Sequence, residues 1–171
     1  MLSSITIPEM IVWDWNGTLL NDLDICIESI NRMLLKRGKR KINKSQYLQF
    51  FRFPVIHFYA DIGFDTRSED FDALSFEYIN HFLSLESSSS LHEKAVELLG
   101  HFKSKGLKQV VLSALEQQTL EKALQKHNIL HFFDAVAGSI NFYGTGKLDI
   151  AKQLINKSSV APDKIIFIGD T

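Results

Sequence analysis

Helical and strand patterns alternate along the second half of the chain, and this alternation limits the fold more than any other feature. After a run of serines at 87–90, the predicted elements are helix 91–105, strand 108–113, helix 116–127, strand 132–137, helix 147–157 and strand 164–170. Another apolar strand pattern, at 10–14, precedes them. Strands that alternate with helices pair into a parallel sheet with helices on both faces. The sequence therefore predicts a three-layer α/β protein.

A helical insertion separates the first strand from this alternating region. Amphipathic patterns predict four helices, at 22–37, 43–51, 54–63 and 69–85. No strand candidate is found between residues 19 and 86. The predicted domains are a core formed by 1–18 and 88–171 and an all-helical domain formed by 19–87.

Composition and charge exclude several classes of partner. The 19 basic and 20 acidic side chains give a formal net charge of −1, so no overall field favours nucleic acid or anionic lipid. The basic run at 36–41 is interpreted as a solvated helix end, with nucleic-acid contact as the minor alternative. No apolar run approaches the roughly 20 residues of a membrane span. With Cys26 as the single cysteine and no signal-peptide pattern, we expect a cytoplasmic protein that binds neither membrane nor nucleic acid.

Polar residues stand at the points where the predicted parallel strands end. Asp14 ends the first strand, Ser113 the next and Asp170 the last, while Lys147 begins the helix after the third strand. Alone, each is most often a turn, helix-cap or solvated residue. Ligands of open parallel sheets bind outside the carboxyl ends of the strands, however. Four such residues in one alternating topology therefore predict a single site at this edge.

The residue types at this edge suit phosphoryl transfer. A carboxylate can attack phosphorus and form an acyl phosphate. Two carboxylates can hold Mg²⁺, whose charge offsets the repulsion between nucleophile and phosphate. Ser113, the backbone amides at the start of the following helix, and Lys147 can hold the remaining phosphate oxygens. The residue set at this edge therefore predicts phosphoryl transfer.

Four segments of the chain resemble the four motifs of the haloacid dehalogenase superfamily in order and spacing. They are DWNGTLL, VVLSA, a lysine at a helix start, and IFIGDT. The helical insertion after the first motif resembles the cap of the phosphoglycolate phosphatase-like branch. The resemblance covers essentially the whole chain. It implies a Rossmann-like core with a helical cap, and a Mg²⁺-dependent phosphatase that acts on a small phosphorylated metabolite through an aspartyl phosphate.

The resemblance also assigns roles to individual residues. It implies that Asp14 is the nucleophile, that Ser113 and Lys147 hold the phosphoryl group, and that Asp170 binds Mg²⁺. Gly17 and Thr18 shape the turn into the cap. The predicted catalytic residues are Asp14, Asn16 and Lys147; the predicted phosphate or substrate ligands are Thr18, Ser113, Ala114, Lys147 and Arg52; the predicted metal ligands are Asp14, Asn16 and Asp170.

Asn16 departs from the family pattern, which has a second aspartate at this position. That aspartate protonates the leaving group and then activates water, and an amide can do neither. General acid–base catalysis is typically worth about 10²–10⁴ in rate. The backbone carbonyl of Asn16 can still reach a metal. The alternatives are therefore a weakened phosphatase, a phosphatase that uses another base such as His57 or His81 of the cap, or a catalytically weak phospho-ligand-binding protein. A dehalogenase-type hydrolase and a sugar phosphomutase are further alternatives, the last disfavoured by the missing acid.

Two further expectations concern the cap and the edge of the sheet. Arg52 lies in FFRFPV, where the family places its specificity loop, and can pair with a substrate carboxylate or a second phosphate. The alternative is a surface arginine that packs its stem on neighbouring aromatic rings. Family members continue past GDT to an edge strand, so we expect an uncovered edge at the strand that carries Asp170, and homo-oligomerisation through it.

Overall fold

A computed structural model describes residues 7–140 and 147–170 of the chain. Thr171, the last residue of the fourth motif, lies outside the described residues. The chain divides into two compact units, one formed by the residues up to Asn21 and from Ser90 onwards, the other by Asp22–Ser89. No described helix is long and apolar enough to cross a bilayer.

The first unit contains the sheet. Its elements are β1 (Met10–Asp14), β2 (Leu20–Asn21), β3 (Ser90–Leu91), α5 (Ala95–Ser104), β4 (Lys108–Glu116), α6 (Gln117–Lys126), β5 (Ala135–Ser139), α7 (Lys147–Lys157) and β6 (Ile165–Ile168). Four strands form one parallel sheet in the order β5-β4-β1-β6. Trp13 of β1 pairs with Val111 of β4 on one side and Ile168 of β6 on the other.

Successive residues of β1 point to opposite faces of the sheet, and a helix packs on each face. Met10 and Val12 face a cluster that includes Leu154 of α7. Trp13 faces the other way, and its ring lies 6.0 Å from that of Phe102 in α5. The predicted three-layer, parallel α/β fold is therefore confirmed.

The second unit is helical. It contains α1 (Leu23–Lys36), α2 (Lys44–Phe50), α3 (Val55–Asp61) and α4 (Phe71–Leu85) around a core of residues that include Met33, Leu34, Phe58 and Leu74. Arg37 joins the end of α1 to α4 and its entry segment through Glu77 at 2.8 Å and Glu69 at 2.6 Å. Cys26 packs against the core, and burial raises the pKa of its thiol to about 12.

The structure corrects the prediction that 19–86 contains no strand. Leu20 and Asn21 form β2, which pairs antiparallel with β3. The predicted helix 91–105 accordingly begins only at Ala95. Two-residue strands carry no periodicity of their own, and the partners lie about 70 positions apart in the sequence, so no local pattern could indicate them.

Strand β5 also differs from its prediction at 132–137. Residues Leu130–Phe132 form a 3₁₀ turn, and the strand runs from Ala135 to Ser139. The predicted strand included two phenylalanines because they extend the apolar run. In the structure the carbonyl of Phe132 instead accepts a 3.4 Å hydrogen bond from the side chain of Gln109.

Candidate active site

Three predicted site residues lie at the same edge of the sheet. Asp14 is the last residue of β1 and pairs with Leu112 of β4, so Ser113 comes one position later on the neighbouring strand. Asp170 follows the end of β6 by two residues. Because β1, β4 and β6 run parallel, their carboxyl ends meet at one edge, as the sequence alternation requires.

Asp14 is held at both of its carboxylate oxygens. Oδ2 forms an ion pair with Nζ of Lys147, the first residue of α7. Oδ1 accepts a 2.7 Å hydrogen bond from the backbone N–H of Trp15. The side chain of Asp14 is only 11% exposed, and that of Lys147 is 34% exposed. The first and third motifs are thus joined through an oriented, mostly buried carboxylate.

Asn16 joins the first motif to the second. The Ser113 hydroxyl donates to Oδ1 of Asn16 at 3.4 Å and accepts from the backbone N–H of Leu115 at 3.1 Å. Ser113 is 1% exposed, so its hydroxyl lies within the protein. Asn16 also forms an isolated β-bridge with Leu20, which positions the turn between them.

Gly17 joins the first motif to the fourth. Its φ is +71°, and a Cβ added there would lie 2.2 Å from Oδ2 and 3.1 Å from Oδ1 of Asp170. The Asp170 carboxylate therefore lies directly against the backbone that follows Asn16. Both the backbone conformation and the available space require glycine at this position.

The other predicted ligands have different surroundings. The Thr18 hydroxyl is buried and has no hydrogen-bond partner among the described residues. Ala114 is half-buried within β4. Arg52 belongs to the helical unit, where its Nη2 lies 2.6 Å from Oδ2 of Asp61 and its side chain is 59% exposed. Arg52 is therefore engaged by a carboxylate of its own unit.

The start of α6 does not offer the free amides that the sequence suggested. The Glu116 carboxylate accepts hydrogen bonds from the backbone N–H groups of Gln118 at 3.0 Å and Thr119 at 2.9 Å. It also accepts from the Thr119 hydroxyl. These hydrogen bonds lower the pKa of Glu116. The expectation that amides at this helix start hold phosphate is therefore wrong for Gln118 and Thr119, because an acidic cap occupies them.

Two supporting residues were not anticipated from the sequence. Trp15, fully buried between Asp14 and Asn16, packs its ring 5.8 Å from the ring of His127. Nε1 of Trp15 and Nε2 of His127 are buried without a hydrogen-bond partner in the described residues. Burial lowers the pKa of His127, which favours the neutral ring. The only sequence signal for this pair is the position of Trp15 directly after the strand-end Asp14. That signal does not indicate that His127 packs against the tryptophan.

The donor set at this edge fits a hard cation. The predicted ligands Asp14 and Asp170 would offer carboxylate oxygens, and Asn16, between them in the chain, would offer its backbone carbonyl. Within 7–140 and 147–170, no group of three or more His, Cys, Asp or Glu side chains is gathered that could hold a metal. Two carboxylates are nevertheless enough for Mg²⁺, which usually retains several waters.

Known proteins share both the sequence pattern and the fold of this chain. A family model described as haloacid dehalogenase-like hydrolase matches residues 11–171. No curated protein gives a significant match. Several solved structures share the fold at low sequence identity.

Three of these structures have sequence identities of 17–19% and TM-scores of 0.73–0.79. A predicted phosphatase from Clostridium acetobutylicum is 19% identical with a TM-score of 0.75, over 96% of this chain and 76% of its own. Protein Tyrosine Kinase A from Mycobacterium tuberculosis is 17% identical with a TM-score of 0.79, over 96% and 76%. A predicted phosphoglycolate phosphatase from Haemophilus somnus is 19% identical with a TM-score of 0.73, over 97% and 78%.

The family model spans nearly all of the chain, and the four motif segments it covers meet around Asp14, Asn16 and Gly17. The resemblance seen in the sequence, and with it the prediction of a hydrolytic enzyme, is confirmed. The chain belongs to the haloacid dehalogenase-like hydrolase family.

Proposed function

We propose that the protein is a Mg²⁺-dependent phosphatase that acts on a small phosphorylated metabolite through an aspartyl phosphate on Asp14. The observation that carries the proposal is the state of Asp14, a mostly buried carboxylate oriented by the Lys147 ammonium and the Trp15 amide. An oriented carboxylate beside a fixed cation is suited to attack phosphorus and to tolerate the approach of an anion.

Each residue at this edge has a distinct part in the proposed reaction. Asp14 attacks phosphorus, while Lys147 balances the negative charge of the phosphoryl oxygens. Ser113 positions Asn16 and, after rotation of its hydroxyl, donates to a phosphoryl oxygen. Asp14, Asp170 and the Asn16 carbonyl would hold Mg²⁺. When bound, the ion offsets the charge of phosphate and carboxylate.

The names of the structural relatives support the substrate class without fixing it. Two of the three are called phosphatases, one of them a phosphoglycolate phosphatase, and the third is called a tyrosine kinase. At these identities the similarity shows a shared fold. All three names refer to phosphoryl chemistry, which agrees with the residues around Asp14. A phosphoglycolate-like substrate is the specific form of the proposal.

The test is a panel of phosphomonoesters assayed with and without Mg²⁺. We expect Mg²⁺-dependent phosphate release that is lost in Asp14→Asn. The matched control is Asp149→Asn, because Asp149 is exposed on α7 and its nearest cation, on Lys152, is 3.9 Å away. This variant carries the same change of charge and should retain the wild-type rate.

Other results would select the competing interpretations. Tight, Mg²⁺-dependent phosphate binding without turnover would indicate a phospho-ligand-binding protein. Halide release without metal would indicate a dehalogenase. Interconversion of sugar phosphates would indicate a phosphomutase. Each of these results would contradict the proposed phosphatase.

A further inference from the structure

An amide occupies the position beside the proposed nucleophile where proton transfer would be useful. Oδ1 of Asn16 accepts a 3.4 Å hydrogen bond from the Ser113 hydroxyl, and Asn16 belongs to the same turn as Asp14. The carboxamide of asparagine neither releases nor takes up a proton near neutral pH. The Lys147 ammonium pairs with Asp14, the Ser113 hydroxyl donates to Asn16, and a second carboxylate, that of Asp170, lies against Gly17.

The first half of the proposed reaction needs a proton only for some substrates. An Asp14 oxygen forms a bond to phosphorus, and the bond from phosphorus to the leaving oxygen breaks with its electron pair. An alkoxide leaving group must be protonated to depart at a useful rate. A carboxylate or phenolate leaves as a stable anion and needs no proton. Among the described groups beside Asp14, the Asn16 amide cannot supply that proton and the Lys147 ammonium is engaged by the nucleophile, so the site discriminates between these two classes of phosphoryl donor.

The second half of the reaction always involves a proton. A water oxygen forms a bond to phosphorus, and the bond from phosphorus to the Asp14 oxygen breaks with its electron pair, which regenerates the carboxylate. The water gives up a proton to the solvent. Lys147 is a cation, the Asn16 amide is neutral, and Asp170 is assigned to the metal. The described groups around Asp14 thus provide weak assistance, and loss of a general base typically costs about 10²–10⁴ in rate.

We infer that the phosphoryl group accumulates on Asp14, and that the protein accepts it preferentially from acyl phosphates and aryl phosphates rather than from alkyl phosphomonoesters. This inference rests on the proposed function, because it assumes that Asp14 is the nucleophile. It adds a substrate class, set by the leaving group, and a resting state in which the protein carries a phosphoryl group.

The first experiment mixes the full chain and Mg²⁺ with p-nitrophenyl phosphate or acetyl phosphate. With p-nitrophenyl phosphate, we expect a burst of about one nitrophenolate per protein molecule, followed by a much slower steady phase. Intact-mass spectrometry after acid quench should show one added phosphoryl group, which peptide mapping should place on Asp14. Hydroxylamine should remove it, as expected of an acyl phosphate.

The second experiment compares leaving groups in the wild-type chain. Rates of Asp14 phosphorylation should fall steeply as the leaving-group pKa rises from acyl through aryl to alkyl phosphates. In Asn16→Asp, the dependence should flatten, and the lifetime of the phosphorylated protein should shorten by about 10²–10⁴-fold. The matched control is Asn156→Asp, an identical change at an exposed position of α7, which should alter neither quantity.

The outcomes separate this inference from the proposed function. Asp14-dependent turnover with no burst, no added mass and no leaving-group preference would overturn the inference alone. No Asp14-dependent reaction with any donor would overturn both. If Asn16→Asp fails to fold, as judged by near-ultraviolet circular dichroism, the wild-type burst and leaving-group series decide the question.

Discussion

At the scale of single residues, Gly17 shows how one position serves both backbone and site. Its positive φ is unfavourable for any residue with a side chain, and the space a side chain would need is filled by the Asp170 carboxylate. A substitution there therefore has two separable effects, one on stability and one on the carboxylate. Gly106 has a similar φ of +76° with nothing within 4 Å of the Cβ position, so it isolates the first effect.

We predict that Gly17→Ala and Gly106→Ala each lose about 1–2 kcal/mol of stability from the left-handed backbone. Only Gly17→Ala should also lose Mg²⁺ affinity, because the Asp170 carboxylate must move. Urea denaturation measures the first effect and isothermal titration calorimetry with Mg²⁺ the second. Unchanged Mg²⁺ binding in Gly17→Ala would exclude Asp170 from the proposed metal site.

At the scale of elements, α6 is fixed at its start by contacts with both β4 and β5. Glu116, the last residue of β4, caps the helix. Gly138 of β5 lies so close to α6 that an added Cβ would be 2.6 Å from Cα and 2.9 Å from N of Gln117. The Gln117 side chain in turn accepts a 2.6 Å hydrogen bond from the backbone N–H of Gly138. The strand that carries Ser113 is therefore held by its neighbours beyond the site.

We predict that Gly138→Ala is strongly destabilising, because backbone atoms rather than a flexible side chain block the new methyl group. The cost should fall in the range of about 1–3 kcal/mol typical of overpacking. Gly100→Ala is the matched control, since its nearest contact is a ring atom of Phe132 at 3.7 Å and alanine favours the α5 helix. Thermal unfolding should show a lower Tm for Gly138→Ala and an unchanged or higher Tm for Gly100→Ala.

A second prediction at this scale concerns the cap of α6. Glu116→Ala removes the acceptor for two backbone amides and should cost about 1 kcal/mol of stability. Glu93→Ala, at an exposed position before α5, should have little effect on the urea midpoint. In Glu116→Ala the backbone amides of Gln118 and Thr119 lose their acceptor. If these amides then bind anions, inorganic phosphate should stabilise Glu116→Ala more than wild type in the same unfolding assay.

At the scale of the whole molecule, titratable groups in both units make stability depend on pH. Burial lowers the pKa of His127 from its ordinary 6.5, so the unfolded chain binds a proton there more readily than the folded protein. Hydrogen bonds from Arg37 and Lys36 outweigh burial and lower the pKa of Glu77, while backbone amides lower that of Glu116. All three shifts favour the unfolded chain in acid.

We predict that stability falls in two stages as the pH decreases. The first stage begins below about 6.5, as His127 protonates in the unfolded chain, and it should be reduced in His127→Gln but not in His92→Gln, a change at an exposed histidine. The second begins below about 4.5, where Glu77 and Glu116 protonate in the unfolded chain and the stability they contribute at higher pH is lost. Urea midpoints across this pH range measure both. A flat profile between neutral pH and 5 would contradict the role of His127.

The sequence by itself determined which elements form and which residue types stand at the strand ends. Periodicity over neighbouring residues encodes helices and strands, and parallel topology then requires Asp14, Ser113 and Asp170 to share one edge. Only the tertiary structure decided how these residues meet. Lys147 reaches Asp14 across 133 positions, and Ser113 reaches Asn16 across 97. Such contacts, like the Glu116 cap, the β2–β3 pair and the support of Trp15 by His127, depend on packing between distant segments. Local sequence patterns do not encode that packing.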